Sequence, residues 1–122
     1  MKKNISEIEC DDAKKLIEKL DLKYNIKFLH WWKQGGIFKL IIVFDNYNSL
    51  NRKEIKNEIS KVISDIGISS FDDSDCAPSG TNIIEQSLRD LISMPSKKFL
   101  NIEFQNSTIN NFHIEHTVIL RA

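Results

Sequence analysis

Proline, glycine and cysteine are scarce in this chain of 122 residues, which contains two, four and two of them respectively. So few chain-breaking residues argue against a long linker or a disordered segment. The two cysteines lie far apart, with no CxxC pattern around either, which indicates two reduced thiols rather than a disulfide framework or a zinc module. A hydrophobic content of 41% and a charged content of 28% are typical of a globular protein. We therefore predict one domain spanning residues 1–122.

A long apolar run is also missing. The longest uninterrupted one, residues 40–44, is far shorter than the roughly 20 residues that a membrane-spanning helix needs. The N-terminus becomes acidic at Glu7 and Glu9 before the apolar segment of a signal peptide could begin. We therefore expect a cytoplasmic protein with no membrane contact.

Neither sign of charge is in excess, because 17 basic side chains balance 17 acidic ones. The balance hides an asymmetry between the two halves of the chain. Residues 1–61 carry 13 basic and 9 acidic side chains, a net charge of +4, whereas residues 62–122 carry 4 and 8, a net charge of −4. A surface with two signs suits a protein partner better than it suits a polyanion such as a nucleic acid.

The spacing of apolar residues predicts about three helices and four strands. Helical spacing covers residues 11–21, residues 51–66, and a segment from Asn82 that stops before Pro95. Alternation predicts two hairpins, one formed by residues 24–32 and 37–45 and the other by residues 99–104 and 112–120. Turn-forming residues in 68–80 indicate a short extended piece followed by a loop. Residues 1–10 fit either an extra strand or an extension of the first helix.

These elements predict an α+β fold. Because the hairpins and helices do not alternate as βαβ units, we expect a mostly antiparallel sheet of about four strands, with the helices packed mainly on one face.

The residues that carry acid-base or nucleophilic chemistry form no recognisable set. His30 and His116 fall on apolar faces of their strands and, as sheet neighbours beside Glu103, would support only a small enzyme, the weakest functional alternative. No glycine-rich phosphate-binding loop is present. We predict no catalytic residue, no metal site and no cofactor.

An acidic cluster stands out within residues 68–80. Asp72, Asp73 and Asp75 lack the glycine and the distal glutamate of an EF-hand calcium loop. Their charge should raise the pKa of the Cys76 thiol, which argues against a nucleophilic cysteine. We interpret the three carboxylates as a contact for a basic partner protein.

The first hairpin is apolar on both sides. The face that helices are expected to cover carries Ile26, Phe28, Leu40 and Ile42. The opposite face carries Lys27, Leu29, Trp31, Ile37, Lys39, Ile41 and Val43. Such a face is too apolar for plain solvent, so an N-terminal segment or loop, a second copy of the chain, or a partner protein should cover it. For a partner, Trp31 is the expected anchor, flanked by Lys27 and Lys39.

Lysines interleaved with aromatic residues also leave a nucleic-acid-binding module as an alternative, although the zero net charge disfavours it. The small size, the α+β build, the acidic cluster and the missing catalytic set resemble the immunity proteins of bacterial toxin-immunity pairs. The resemblance covers general character and transfers no individual residue. It implies that the chain binds a cognate toxin, often a nuclease, and neutralises it by covering its active site. A secretion-type chaperone is a further alternative, although that class is typically more acidic.

Overall fold

The computed structural model of this chain describes residues 2–92 and 98–122. The elements are, in chain order, α1 (Glu7–Leu20), β1 (Ile26–Gln34), β2 (Ile37–Phe44), α2 (Arg52–Ile66), β3 (Cys76–Ser79), α3 (Ile83–Leu91), β4 (Phe99–Ile109) and β5 (Phe112–Arg121). Short 3₁₀ helices lie at Tyr47–Ser49 and Asp73–Asp75. The predicted α+β class with three helices is confirmed. The predicted stop at Pro95 falls outside the described residues.

The helix termini follow local capping chemistry. The carboxamide oxygen of Asn51 accepts hydrogen bonds from the backbone N–H groups of Lys53 and Glu54, at 3.0 and 3.1 Å, as the sequence pattern predicts for the start of α2. The first helix begins four residues earlier than predicted, where the Ser6 backbone N–H donates to the Glu9 carboxylate at 2.9 Å. Of the segment left open by the sequence, residues 7–10 extend α1, whereas Lys2 forms an isolated antiparallel β-bridge with Phe38.

The sheet has five strands in the order β3-β2-β1-β5-β4. Both predicted hairpins, β1 with β2 and β4 with β5, are antiparallel. The prediction of about four strands is corrected by β3, which pairs in parallel with β2 after the chain crosses over through α2. This four-residue strand contains Pro78, which a sheet tolerates at an edge.

Helices cover the sheet on both sides. The first face is the one that packs against α1 and α2, and its buried strand side chains include Ile26, Leu29, Trp31, Leu40, Ile42, Val118 and Leu120. The second face packs against α3, whose Leu88 joins Phe28, Val43 and Ile119 in a separate cluster. We predicted that the helices pack mainly on one face. This holds for α1 and α2, whereas α3 packs on the opposite face. Within the described residues, no helix has both the length and the apolar character to cross a bilayer.

An irregularity in β1 decides which side chain lies on which face. The register with β2 shifts between Ile26 and Phe28, as expected for a β-bulge. The extra residue reverses the alternation, so Ile26 and Leu29 both lie on the first face. The predicted grouping of Phe28 with Ile26 is therefore wrong, and so is the placement of Leu29 on an outward face.

Candidate interaction surface

Two adjacent tryptophans have opposite environments. Trp31 is fully buried on the first face and meets the Phe71 ring edge to face, with ring centroids 5.3 Å apart. The prediction that Trp31 lies on an outward face is wrong, because the bulge turns it towards α1 and α2. Trp32 lies on the second face and is only half-buried. The sequence reasoning missed Trp32 as an accessible aromatic residue; placing the bulge would have found it.

The strand register arranges the second face in cross-strand rows. One row contains Lys39, Trp32, Thr117 and Phe104. The next contains Ala77, Ile41, His30, Ile119 and Ile102. Leu88 of α3 packs beyond these rows, against Phe28 and Val43. Four large apolar side chains in the two rows stay half-buried, and we call them the interaction patch: Trp32, Ile41, Ile102 and Phe104.

A buried histidine lies beneath the patch. His30 Nδ1 is 2.9 Å from Thr117 Oγ1, and the Thr117 hydroxyl donates to the Trp31 carbonyl at 2.9 Å. The Thr117 hydroxyl proton is engaged by the Trp31 carbonyl, so the Thr117 oxygen can only accept a hydrogen bond from His30. The proton of the neutral imidazole is therefore assigned to Nδ1. Burial lowers the pKa of His30 to about 3. His30 is therefore neutral at physiological pH.

The second histidine of the predicted pair lies on the other side of the sheet. His116 is in register with Lys33, whereas the neighbouring Thr117 shares a face with His30. On the first face, His116 Nε2 is 3.0 Å from Glu103 Oε1. The prediction that His30 and His116 are neighbours is therefore wrong, and the set of two imidazoles with Glu103 does not assemble.

The carboxylates of Asp72 and Asp75 accept hydrogen bonds from backbone N–H groups of their own loop. The Asp72 side chain accepts from the Ser74 backbone N–H at 2.9 Å, and the buried Asp75 carboxylate accepts from the Asp72 N–H at 3.1 Å. A hydrogen bond from the Ser74 hydroxyl, together with hydrogen bonds from the backbone N–H groups of Ser74 and Asp75, holds the pKa of Asp72 below its usual value. Asp73 is exposed and accepts from the Ser60 hydroxyl at 2.6 Å. Asp72 and Asp73 are thus accessible, while Asp75 is buried and wrongly predicted as a surface contact.

The two predicted contact lysines differ. Lys27 is half-buried, donates to the Thr81 hydroxyl, and lies 3.7 Å from Glu85 Oε1, so it belongs to the packing of α3. Lys39 is exposed and donates to the Ser74 carbonyl at 2.5 Å. Lys39 therefore links the row of Trp32 to the acidic loop.

The pKa of the Cys76 thiol is raised, as the sequence predicts. Burial raises the pKa of its thiol to about 12, with further increases from the charges of Asp75, Asp73 and Asp72. The predicted increase of the thiol pKa by the neighbouring carboxylates is confirmed, although burial contributes the larger increase. In the part of the chain that the structure describes, no group of three or more His, Cys, Asp or Glu side chains is placed to hold a metal ion.

The interaction patch thus lies on the second face of the sheet, and the accessible side chains of Lys39, Asp72 and Asp73 lie near its β3 edge. No protein family, no curated protein and no solved structure matches this chain.

Proposed function

We propose that this chain is a cytoplasmic protein-binding inhibitor of the immunity-protein class, and that the interaction patch is its contact surface. The observation that carries the proposal is the incomplete cover of the second face. Trp32 and Phe104 stay half-buried there, whereas Trp31 on the first face is fully buried. Half-exposed aromatic side chains flanked by aliphatic ones are the usual anchors at the centre of a protein interface.

Charged groups lie at one side of the patch. Lys39 connects it to the loop that carries the accessible carboxylates of Asp72 and Asp73. In a complex, these carboxylates would attract a basic surface and speed association, while the apolar patch would slow dissociation. A toxin with a basic active-site cleft, such as a nuclease, fits this combination, and covering the cleft requires no chemistry from the inhibitor.

The lysines argue against the nucleic-acid alternative. Lys27 pairs with Glu85, and Lys33 lies 3.9 Å from Glu115. Lys39 donates to a backbone carbonyl. Phosphate binding would have to compete with these internal partners, and each phosphate contact would make affinity fall steeply with salt. Absence of DNA or RNA binding at low ionic strength would remove that alternative.

The test is co-purification with the protein encoded next to this chain, followed by titration of the purified pair. We expect a tight complex and loss of the partner's activity. Trp32→Ala should weaken binding by about 30-fold or more, the effect of removing an interface hot spot. A matched control is Leu22→Ala, because Leu22 is 83% exposed and lies just after α1, away from the patch. Its affinity should equal that of the wild type.

A second variant separates the two parts of the proposal. Replacing Asp72 and Asp73 together by asparagine should slow association and weaken its salt dependence, with little change in the dissociation rate. Wild-type affinity in Trp32→Ala would reject the patch as the interface. Absence of any complex with the neighbouring gene product would reject that partner.

A further inference from the structure

A cavity of about 390 Å³ opens on the second face, where β2, β3 and the start of α3 meet. Its walls are formed by His30, Trp32, Ile41, Ala77, Ser79, Asn82 and Ile84. The volume is in the range of small-molecule sites, roughly 300–1,000 Å³. None of these lining residues carries a charge at neutral pH, since the imidazole of His30 is neutral. The cavity therefore suits an uncharged ligand, because a buried charge would have no counter-charge there.

The polar groups of the cavity are engaged, with one exception. The Ser79 hydroxyl donates to the Gly80 carbonyl at 2.9 Å, and the Asn82 side-chain oxygen accepts from the backbone N–H of Glu85 at 2.9 Å. His30 is only 2% exposed, and its Nδ1 is fixed by Thr117. Its Nε2 has no hydrogen-bond partner among residues 2–92 and 98–122. The Nδ1–H tautomer leaves a lone pair on Nε2, which can accept a hydrogen bond from a ligand in the cavity.

We propose that this cavity binds a small neutral aromatic alcohol of the phenol class, whose ring lies against Trp32 and whose hydroxyl donates to His30 Nε2. The indole forms one wall and the side chains of Ile41 and Ile84 supply apolar contact, which favours a flat ring. The hydroxyl satisfies the one unused acceptor, so it contributes specificity as well as affinity. This proposal goes beyond protein binding, because its ligand is a free small molecule.

The test compares p-cresol with toluene, two probes that differ only in the hydroxyl group. Titration followed by protein NMR should show p-cresol binding about fivefold or more tightly than toluene. The imidazole ¹⁵N resonance of His30 Nε2 should shift with p-cresol and stay in place with toluene. Equal affinity for the two probes, or no binding of p-cresol, would overturn the proposal.

Two variants locate the effect. His30→Leu should remove the preference for p-cresol, whereas the same change at the exposed His113 should preserve it. Ala77→Leu places a larger side chain in the cavity from the edge strand β3 and should abolish binding of both probes. Because Ala77 is only half-buried, this variant serves as the test if His30→Leu does not fold. Undiminished p-cresol binding in Ala77→Leu would contradict the proposed site.

Discussion

The two faces of this sheet are covered to different degrees, and the adjacent residues Trp31 and Trp32 show the difference most clearly. Two helices of 14 and 15 residues close the first face, and Trp31 beneath them is 0% exposed. Among residues 2–92 and 98–122, one helix of nine residues covers part of the second face, and Trp32 is half-buried there. Burial of the first face should therefore dominate folding stability. The second face retains large side chains that are only half-buried, and for that reason we propose it as the interface.

The largest expected effect comes from truncating Trp31. Trp31→Ala should lower the free energy of unfolding by about 3–5 kcal/mol, since it leaves a cavity in the main core and removes the contact with Phe71. Chemical denaturation of the purified protein measures the loss. Trp32→Ala is the matched control and should cost clearly less, because the Trp32 ring is already partly in solvent. A larger loss at Trp32 than at Trp31 would reverse the assignment of the two faces.

The second prediction tests how α3 attaches to the second face. Leu88→Ala should lower the free energy of unfolding by about 2–3 kcal/mol, because this fully buried side chain joins Phe28 and Val43. On the same helix, Leu91 is 53% exposed, so Leu91→Ala should change stability by less than about 0.5 kcal/mol. Equal losses at the two positions, measured by the same denaturation, would mean that α3 does not pack through Leu88.

Alternation and capping were sufficient to predict the two hairpins and α2, because those signals lie within each segment. The edge strand β3 was not predictable in this way. Its four residues include Pro78 and follow a run of turn-forming residues, and only pairing with β2 makes it a strand. The face of Trp31 depends on a single bulge after Ile26, which nothing in the local composition marks.

The candidate site was predictable to the same partial extent. The sequence shows three clustered carboxylates, but only the folded loop shows that Asp75 is turned inward while Asp72 and Asp73 stay accessible. His30 illustrates the same limit, because its partner Thr117 is 87 residues away in the chain. Contacts of this kind depend on strand order, which local patterns do not specify.

A third prediction uses pH to probe the buried side of the second face. The folded pKa of His30 is about 3, below the ordinary value of 6.5, so on acidification the unfolded chain takes up a proton that the native protein excludes. Stability contributed by neutral His30 is therefore lost as pH falls from 6.5 towards 3. Between pH 6.5 and 5.5 this group should lower the free energy of unfolding by about 1 kcal/mol. Denaturation at both pH values measures the change.

Two variants isolate that component of the pH dependence. His30→Leu should remove it, and the difference in stability between pH 6.5 and 5.5 should shrink by the same amount. The exposed His113 provides the control, since His113→Leu leaves the buried imidazole in place. An unchanged pH dependence in His30→Leu would show that this histidine is accessible to protons in the native state.

The prediction with the smallest structural change compares the solvent exposure of Trp31 and Trp32 directly. Trp32→Phe leaves Trp31 as the only indole, and Trp31→Phe leaves Trp32, with one ring replaced by another in each protein. Acrylamide should quench the fluorescence of Trp32 more strongly than that of Trp31, because only Trp32 is reached from solvent. Addition of a bound partner should then protect Trp32 and leave Trp31 unchanged. Protection of neither indole would place the interface away from the patch, whereas stronger quenching of Trp31 would contradict the bulge that orients β1.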